Sequence, residues 1–409
     1  MKKSVFIYMS IFALAGTSLG AAYKIPEQST RSTALSGAYV AGANSADASY
    51  FNPANMSWLN TTLNIEVGLK YIFLPPVKFK GLALDPIPPH DPILSQAQTK
   101  TEEFYIPYFH YVSPEVGRFR FGLSLTTPAG LSKKWQTFPQ KFTAEEFTLK
   151  VAELNPTVAM KLTSKLSIGA GVRFIYSKGI AKYQYPTAYK VYMEGDTFEY
   201  GYNFAISYKP DKDFTLAATY RSKVNLDIEG DAEGHLRGTP FMVTGKVQIP
   251  IPSTLDLGIA YVYKKKTRFE FVFEKTFWSA YNKLDFDFDN NILENALGQP
   301  RKRDWEDTNT LRFGITHSLS DKLDVMFGYA IDESPIPELT LGFELPDSFG
   351  KIYSFGLLVH PNNNLELGFA FLYVKKDDRY IDYINLNGIK GKFSNLKAKL
   401  LNISLGYKF

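Results

Sequence analysis

The side chains able to do covalent or metal chemistry are few and scattered in this 409-residue chain. Cysteine is absent, and histidine occurs only at His90, His110, His235, His317 and His360. Nucleophilic catalysis needs a hydroxyl or thiol beside an oriented base, and none of these histidines shares a recognisable motif with a serine and a carboxylate. A metal centre needs histidine, cysteine or carboxylates gathered as ligands, and that pattern is missing too. The reading is therefore not an enzyme, with no metal and no other cofactor. His110, His317 and His360 fall on or beside predicted strands near short turns, where a histidine at a membrane interface is the ordinary reading. His90 and His235 fall in long connections.

Two other groups of residues carry more pattern. Arg118, Arg120, Arg173, Asp256, Arg268, Glu270, Glu274, Arg312, Asp324 and Glu366 share the side of their segments that carries small residues. Charges of both signs line water-filled channels; they also orient a polar plug. The second group is Tyr50-Phe51-Asn52-Pro53-Ala54. Pro53 lacks a backbone donor and has a fixed φ, while Asn52 can bond to nearby backbone. Together they suit a rigid turn, or more plainly the end of a short helix.

The elements that must position these residues are strands. Leu63, Ile65, Val67, Leu69, Tyr71 and Phe73 alternate with Asn64, Glu66, Gly68 and Lys70. The same period of two recurs at 166–176, 199–208, 254–263 and 365–373. Short turns are expected near 113–117, 163–165, 210–212, 264–266, 319–321 and 361–363. Long connections are expected near 75–100, 129–147, 180–196, 231–252, 279–307, 332–350 and 377–396. Their strict alternation gives fourteen strands, an even number with all long loops at one end, as in bacterial outer-membrane barrels. A soluble sandwich also alternates, but it has no reason to sort its loops this way. Pro75, Pro76, Pro86, Pro88, Pro89 and Pro92 stiffen the first long loop. Its Leu82, Leu84, Ile87, Ile93 and Leu94 fit packing on neighbouring loops better than a first contact with ligand.

Composition agrees. Phe 32 and Tyr 26 make the chain rich in aromatics, yet nothing after residue 22 is long and apolar enough for a membrane helix. Formal charge is +5, or +3 without Lys2 and Lys3, so no nucleic-acid partner is implied. Lys2 and Lys3, the apolar run Val5–Leu14 and the small residues to Ala22 form a signal peptide over 1–22, cleaved before Ala21, Ala22 or Tyr23. The last strand ends Ile403, Leu405, Tyr407, Phe409, similar to the terminal signal read by the barrel-insertion machinery. Fourteen strands enclose a lumen too wide for wall side chains to fill. Residues 23–60 are rich in Ala, Ser, Gly and Thr and do not alternate, so they are read as an N-terminal hatch inside the lumen, with the barrel over 61–409.

The chain resembles the FadL/TodX family of outer-membrane long-chain fatty acid and hydrocarbon transporters. The likeness is carried by Ile25-Pro26-Glu27-Gln28-Ser29, Ala41-Gly42-Ala43, Asn52-Pro53-Ala54, Leu154-Asn155-Pro156-Thr157-Val158-Ala159, Tyr220-Arg221-Ser222-Lys223-Val224, Pro252-Ser253-Thr254-Leu255 and Gly328-Tyr329-Ala330-Ile331-Asp332-Glu333-Ser334-Pro335-Ile336-Pro337. The resemblance implies a monomeric fourteen-stranded antiparallel barrel with a hatch in the outer membrane of a Gram-negative cell, meeting lipid and lipopolysaccharide. Outer loops would capture a hydrophobic small molecule, a lumenal pocket would receive it, and a kink in the third strand (roughly 117–128, with Thr126-Thr127-Pro128-Ala129-Gly130-Leu131) would release it sideways. It places ligand binding or gating on Tyr23, Ile25, Phe51, Asn52, Pro53 and Ala54, with the Asn-Pro-Ala turn near the kink. The competing reading is a general diffusion porin, and a third is an adhesin or purely structural barrel working through its loops.

Overall fold

The computed structural model describes residues 21–59 and 63–409; the first twenty residues of the expected signal peptide lie outside it. Fourteen antiparallel strands form a closed ring: β1 (Asn64–Leu74), β2 (Glu102–Val112), β3 (Phe119–Thr126, resuming at Gly130–Lys134), β4 (Glu146–Lys161), β5 (Leu166–Tyr185), β6 (Tyr189–Tyr208), β7 (Phe214–Arg221, then Val224–Leu236), β8 (Thr239–Ile251, then Thr254–Tyr263), β9 (Thr267–Thr276), β10 (Thr308–Ser320), β11 (Leu323–Asp332), β12 (Gly350–Val359), β13 (Leu365–Lys376) and β14 (Lys397–Lys408). The ring closes between β1 and β14, in register from Asn64↔Lys408 to Phe73↔Lys399. Closure leaves no open sheet edge, which is what lets strands cross a bilayer.

The alternation sorts the side chains as expected. On β1, Val67 and Leu69 are exposed on the outer face, while Asn64, Glu66 and Lys70 are buried on the inner one. The outer face continues with Phe121, Phe204, Ile206, Leu257, Ile259, Phe313, Ile315, Phe369 and Ile403, an apolar band facing lipid.

Two expected long connections are strands instead. β5 and β6 run on to a tight turn at 186–188, and β7 and β8 to a turn at Arg237 and Gly238. Both residues of that second turn have positive φ (49° and 85°), the geometry of a two-residue hairpin. Past the bilayer the outward positions become polar, as at Lys178, Asp196, Glu229 and Asp231, so these stretches look like loops although pairing persists. The strand count is unaffected. Among the remaining outer connections, Lys78–Leu84, Pro92–Gln98, Arg379–Ile381 and Ile389–Ser394 form a separate four-stranded sheet. Phe79, Phe393 and Phe343 pack beneath it with ring centroids 4.9 to 5.7 Å apart. Leu82, Leu84, Ile87 and Ile93 are half-buried there, in keeping with loop packing, but Leu94 departs from that expectation and stands 79% exposed.

Residues 21–59 lie within the ring. Their helix Thr30–Ala34 meets β11, β12, β13 and β14, and the 3-10 helix Pro53–Trp58 meets β3, β4, β5 and β6. The inward charges hold this segment. Glu270 accepts from the amides of Val40 (2.6 Å) and Gly42 (3.0 Å), and Arg268 donates to the Gly42 carbonyl at 2.8 Å. Arg312 donates to the Ser36 carbonyl at 2.8 Å, and Arg31 is paired with Glu366. His110 corrects the interfacial expectation: it is fully buried, touching Ser124 Oγ (3.0 Å) through Nδ1 and the Gln28 carbonyl (2.9 Å) through Nε2. Its position on the inward phase of β2 decides this, not its distance from the turn.

Candidate functional site

The wall is interrupted where the amino-terminal segment meets it. β3 stops at Thr126 and resumes at Gly130, because Pro128 has no amide to give to a ladder. On its other side, β2 pairs with β3 only from Phe109↔Leu125 to Val112↔Gly122, so the ladder fails above that point. The freed backbone groups are met from inside. Gln28 donates to the Thr127 carbonyl (2.7 Å) and accepts from the Thr127 amide (3.0 Å). The Ile25 amide donates to the Pro128 carbonyl at 2.9 Å, and the Gly130 amide to the Tyr23 carbonyl at 2.8 Å. In the sequence Gln28 stands out only within the family likeness of Ile25–Ser29; nothing local marks it as the partner of a residue 99 positions away.

Tyr23 sits at the centre of the site. It is 3% exposed, and its hydroxyl donates to the Pro250 carbonyl on β8. Its ring stands edge-on to Trp278, with centroids 4.8 Å apart, and lies 5.7 Å from Trp305. Burial, then the nearby Tyr281, push its phenol well above the ordinary value, so it remains a donor. Two cavities share it as a wall. The inner one is also lined by Ile25, Phe51, Pro53, Pro128, Arg173 and Arg312. The outer one lies toward the long loops against Leu131, Phe147, Leu149, Met193, Ile228 and Phe286.

Most of the charge in the inner cavity is paired, and Asp256 accepts from the Thr219 hydroxyl at 3.1 Å. Glu153 bridges Arg173 (2.8 Å) and Arg221, and Glu274 bridges Lys24 (2.6 Å) and Arg312 (3.2 Å). The outer cavity has a nearly continuous apolar lining, with Arg303 and Glu344 paired at 2.9 Å at its side. Such a chamber takes apolar molecules, because burying apolar surface gains about 25 cal/mol per Å2.

The six residues named from sequence are brought close, in two groups. Tyr23, Ile25, Phe51 and Pro53 line the inner cavity. Asn52 and Ala54 are fully buried anchors. Asn52 caps the short helix Ala48–Phe51, and Pro53 is the first residue of the next. The Asn52 amide group donates to the Val40 carbonyl and to Ser207 Oγ, each at 2.9 Å, and Ser167 Oγ donates to the Ala54 carbonyl at 2.8 Å. The turn is thus fastened to β5 and β6, while the break in β3 is filled by residues 23–28. Pro53 and Pro128 face the same cavity.

Comparison with known proteins agrees with this architecture. The family described as "Outer membrane protein transport protein (OMPP1/FadL/TodX)" matches residues 11–409. Outer membrane protein P1 of Haemophilus influenzae is 22% identical over 353 residues, 75% of each chain. The long-chain fatty acid transport protein of Escherichia coli is 22% identical over 319 residues, covering 66% of this chain and 70% of that one. Among solved structures, a Pseudomonas aeruginosa FadL homologue superposes with a TM-score of 0.83 at 18% identity, covering 95% of this chain and all of that one. The P. putida toluene transporter TodX gives 0.73 at 15% identity, covering 93% and 98%. The chain belongs to the FadL/TodX family of outer-membrane transport proteins and is a fourteen-stranded barrel of the Gram-negative outer membrane.

Proposed function

We propose that this protein takes up hydrophobic small molecules, long-chain fatty acids or hydrocarbons, across the outer membrane. Outer loops capture the molecule, the outer cavity binds it, and it leaves sideways through the break in β3, with residues 23–60 as the hatch. The observation that carries the reading is the placing of Tyr23: its ring divides two cavities while its backbone fills the β3 break. A shift of that one residue would join the cavities and open the wall. Leu94, Tyr380 and Leu386, exposed on the outer loops, offer the first apolar contact. An apolar molecule is stopped by the hydrophilic lipopolysaccharide layer and not by hydrocarbon, so a sheltered passage to the bilayer is all the catalysis it needs.

This reading treats the chain as a monomer and a transporter, without cofactor and not an enzyme. The terminal Phe409, 60% exposed, is its signal to the insertion machinery. The activities named for two relatives, long-chain fatty acid transport and toluene transport, bracket the substrate class. The test is binding and uptake by the purified protein in liposomes, with a long-chain fatty acid and toluene as probes. Binding of either, lost together with uptake when residues 23–60 are deleted, supports the reading. Unchanged uptake after that deletion, with ion conductance alone raised, makes the protein a general diffusion porin.

A further inference from the structure

β3 is not the only broken strand. The ladder between β6 and β7 runs from Tyr208↔Leu216 to Asn203↔Arg221, stops, and resumes at Asp196↔Glu229 one residue out of register. Thr197–Tyr202 on β6 and Ser222–Ile228 on β7 carry no ladder pairing with each other. From this we infer that the wall holds a second side passage, between β6 and β7, through which the hydrophobic ligand exchanges with the outer leaflet. The inference rests on the uptake reading and adds a route to it.

Depth places the break. The outward residues of β6 are apolar from Tyr208 through Ile206, Phe204, Tyr202 and Tyr200 to Phe198. At about 3.4 Å per residue and a tilt of about 45°, that stretch rises about 24 Å, the height of the lipid-facing band. The break therefore lies at the outer edge of the band. Backbone without ladder partners persists at that depth only where it faces a cavity or other protein. Nothing among the described residues covers it from outside: Phe198 is 65% and Tyr200 75% exposed.

Inside, both cavities end on its rims. Asn203 and Arg221, below the break, line the inner cavity; Gly195 and Ile228, above it, line the outer one. The hinge is held by a side chain, as at β3. The Ser222 carbonyl accepts from Arg173 at 2.6 Å, and the Ser222 amide donates to the Tyr202 carbonyl at 2.9 Å. Val224 then plugs the gap, with one methyl 2.7 Å from where a Cβ on Gly201 would lie. The two rims differ. β6 presents exposed aromatics, and β7 presents exposed Lys223, Asp227 and Glu229, so an apolar body can slide along one rim while the other stays in the headgroup layer. The interruption beside β8, from Thr254↔Thr276 on β9 to Val247↔Phe286 on the short strand Phe286–Phe288, is no such passage: buried Trp278 and Tyr281 close it beside Tyr23.

The chain has no cysteine, so a disulfide can staple the gap cleanly. The full-length mature protein with Gly201→Cys and Val224→Cys, in liposomes, is loaded with a pyrene-labelled long-chain fatty acid. Transfer of the probe into the bilayer is then followed by excimer fluorescence, oxidised and reduced. Oxidation is expected to slow transfer several-fold and reductant to restore it. Should the double variant fail to fold, Tyr200→Cys labelled with a bulky maleimide gives the same reading, with labelled Tyr353→Cys, on the lipid face of β12, as control. Slower transfer only for labelled Tyr200→Cys supports the passage. Equal rates with and without staple or label overturn it while leaving uptake through β3 standing. An unstapled protein that never takes up the probe overturns the uptake reading itself.

Discussion

Tyr23 ties together two breaks in the wall: its carbonyl accepts from Gly130 on β3, and its hydroxyl donates to the Pro250 carbonyl on β8. Tyr23→Phe keeps the ring against Trp278 and removes only the second tie. The buried Pro250 carbonyl then lacks that partner, which costs about 1–3 kcal/mol. Thermal unfolding in detergent is expected at lower temperature, and bound ligand is expected to exchange faster. Tyr23→Ala, which also joins the two cavities, should show a larger change in exchange. Identical exchange rates in all three proteins would remove Tyr23 as a gate.

Arg31 and Glu366 form a pair in the lumen, with Glu66 3.6 Å from the same guanidinium and Lys408 3.4 Å from the same carboxylate. Arg31→Ala leaves the buried Glu66 carboxylate without its cation, while Glu366 keeps Lys408 at 3.4 Å. Loss of one partner of a buried pair costs about 3–5 kcal/mol. The helix Thr30–Ala34 should loosen from the wall, and planar-bilayer recordings should show larger, noisier ion conductance than the native protein. A quiet, low-conductance Arg31→Ala protein would mean that the segment does not depend on this anchor.

Much of this is legible in the sequence. The strands themselves are legible from side-chain alternation, because one face meets lipid and the other a polar filling, as Val67 and Glu66 show; their number follows from the alternation of short turns and long connections. Most charges on the small-residue side face inward, but Arg118 is exposed in the turn before β3; only the contacts of Glu270 and Arg312 with backbone at 36–42 tell a filled lumen from a wet one. The extensions of β5–β8 were missed, since outside the bilayer both faces turn polar and alternation loses its contrast. The roles of Gln28, Pro250 and Arg173 were missed for a different reason: each serves a carbonyl, or is a carbonyl, far away in sequence, and a backbone partner leaves no signature in side-chain type.

Gly169 on β5 sets how closely the Asn-Pro-Ala turn approaches the wall. A Cβ there would lie 2.6 Å from the Ala54 nitrogen and 2.7 Å from the Pro53 carbonyl carbon, both backbone atoms unable to step aside. Gly169→Val should push the turn inward and strain the Ser167–Ala54 and Asn52–Ser207 contacts, at about 1–3 kcal/mol. The expected result is a folded, heat-modifiable barrel with lower thermal stability and altered ligand uptake. If Gly169→Val matches the native protein in both, the turn is not seated as described.

Gln28 offers the sharpest separation of filling from gating at β3. Its amide donates to the Ile25 and Thr127 carbonyls at 2.6 and 2.7 Å, and its oxygen accepts from the Thr127 amide at 3.0 Å. It supplies in one side chain what a neighbouring strand would supply in a ladder. Gln28→Glu keeps the shape and the acceptor but exchanges the donor for an oxygen aimed at two carbonyls, a repulsive contact in a buried site. Gln28→Leu removes both roles at similar volume. If the break is the lateral exit, both variants should speed probe release into lipid, with Gln28→Glu the faster, and neither should change initial binding in the outer cavity, which Gln28 does not touch. Slower release from both would mean that Gln28 guides ligand through the break and does not close it. Unchanged release would move the exit elsewhere in the wall, and the interruption between β6 and β7 would be the first place to look.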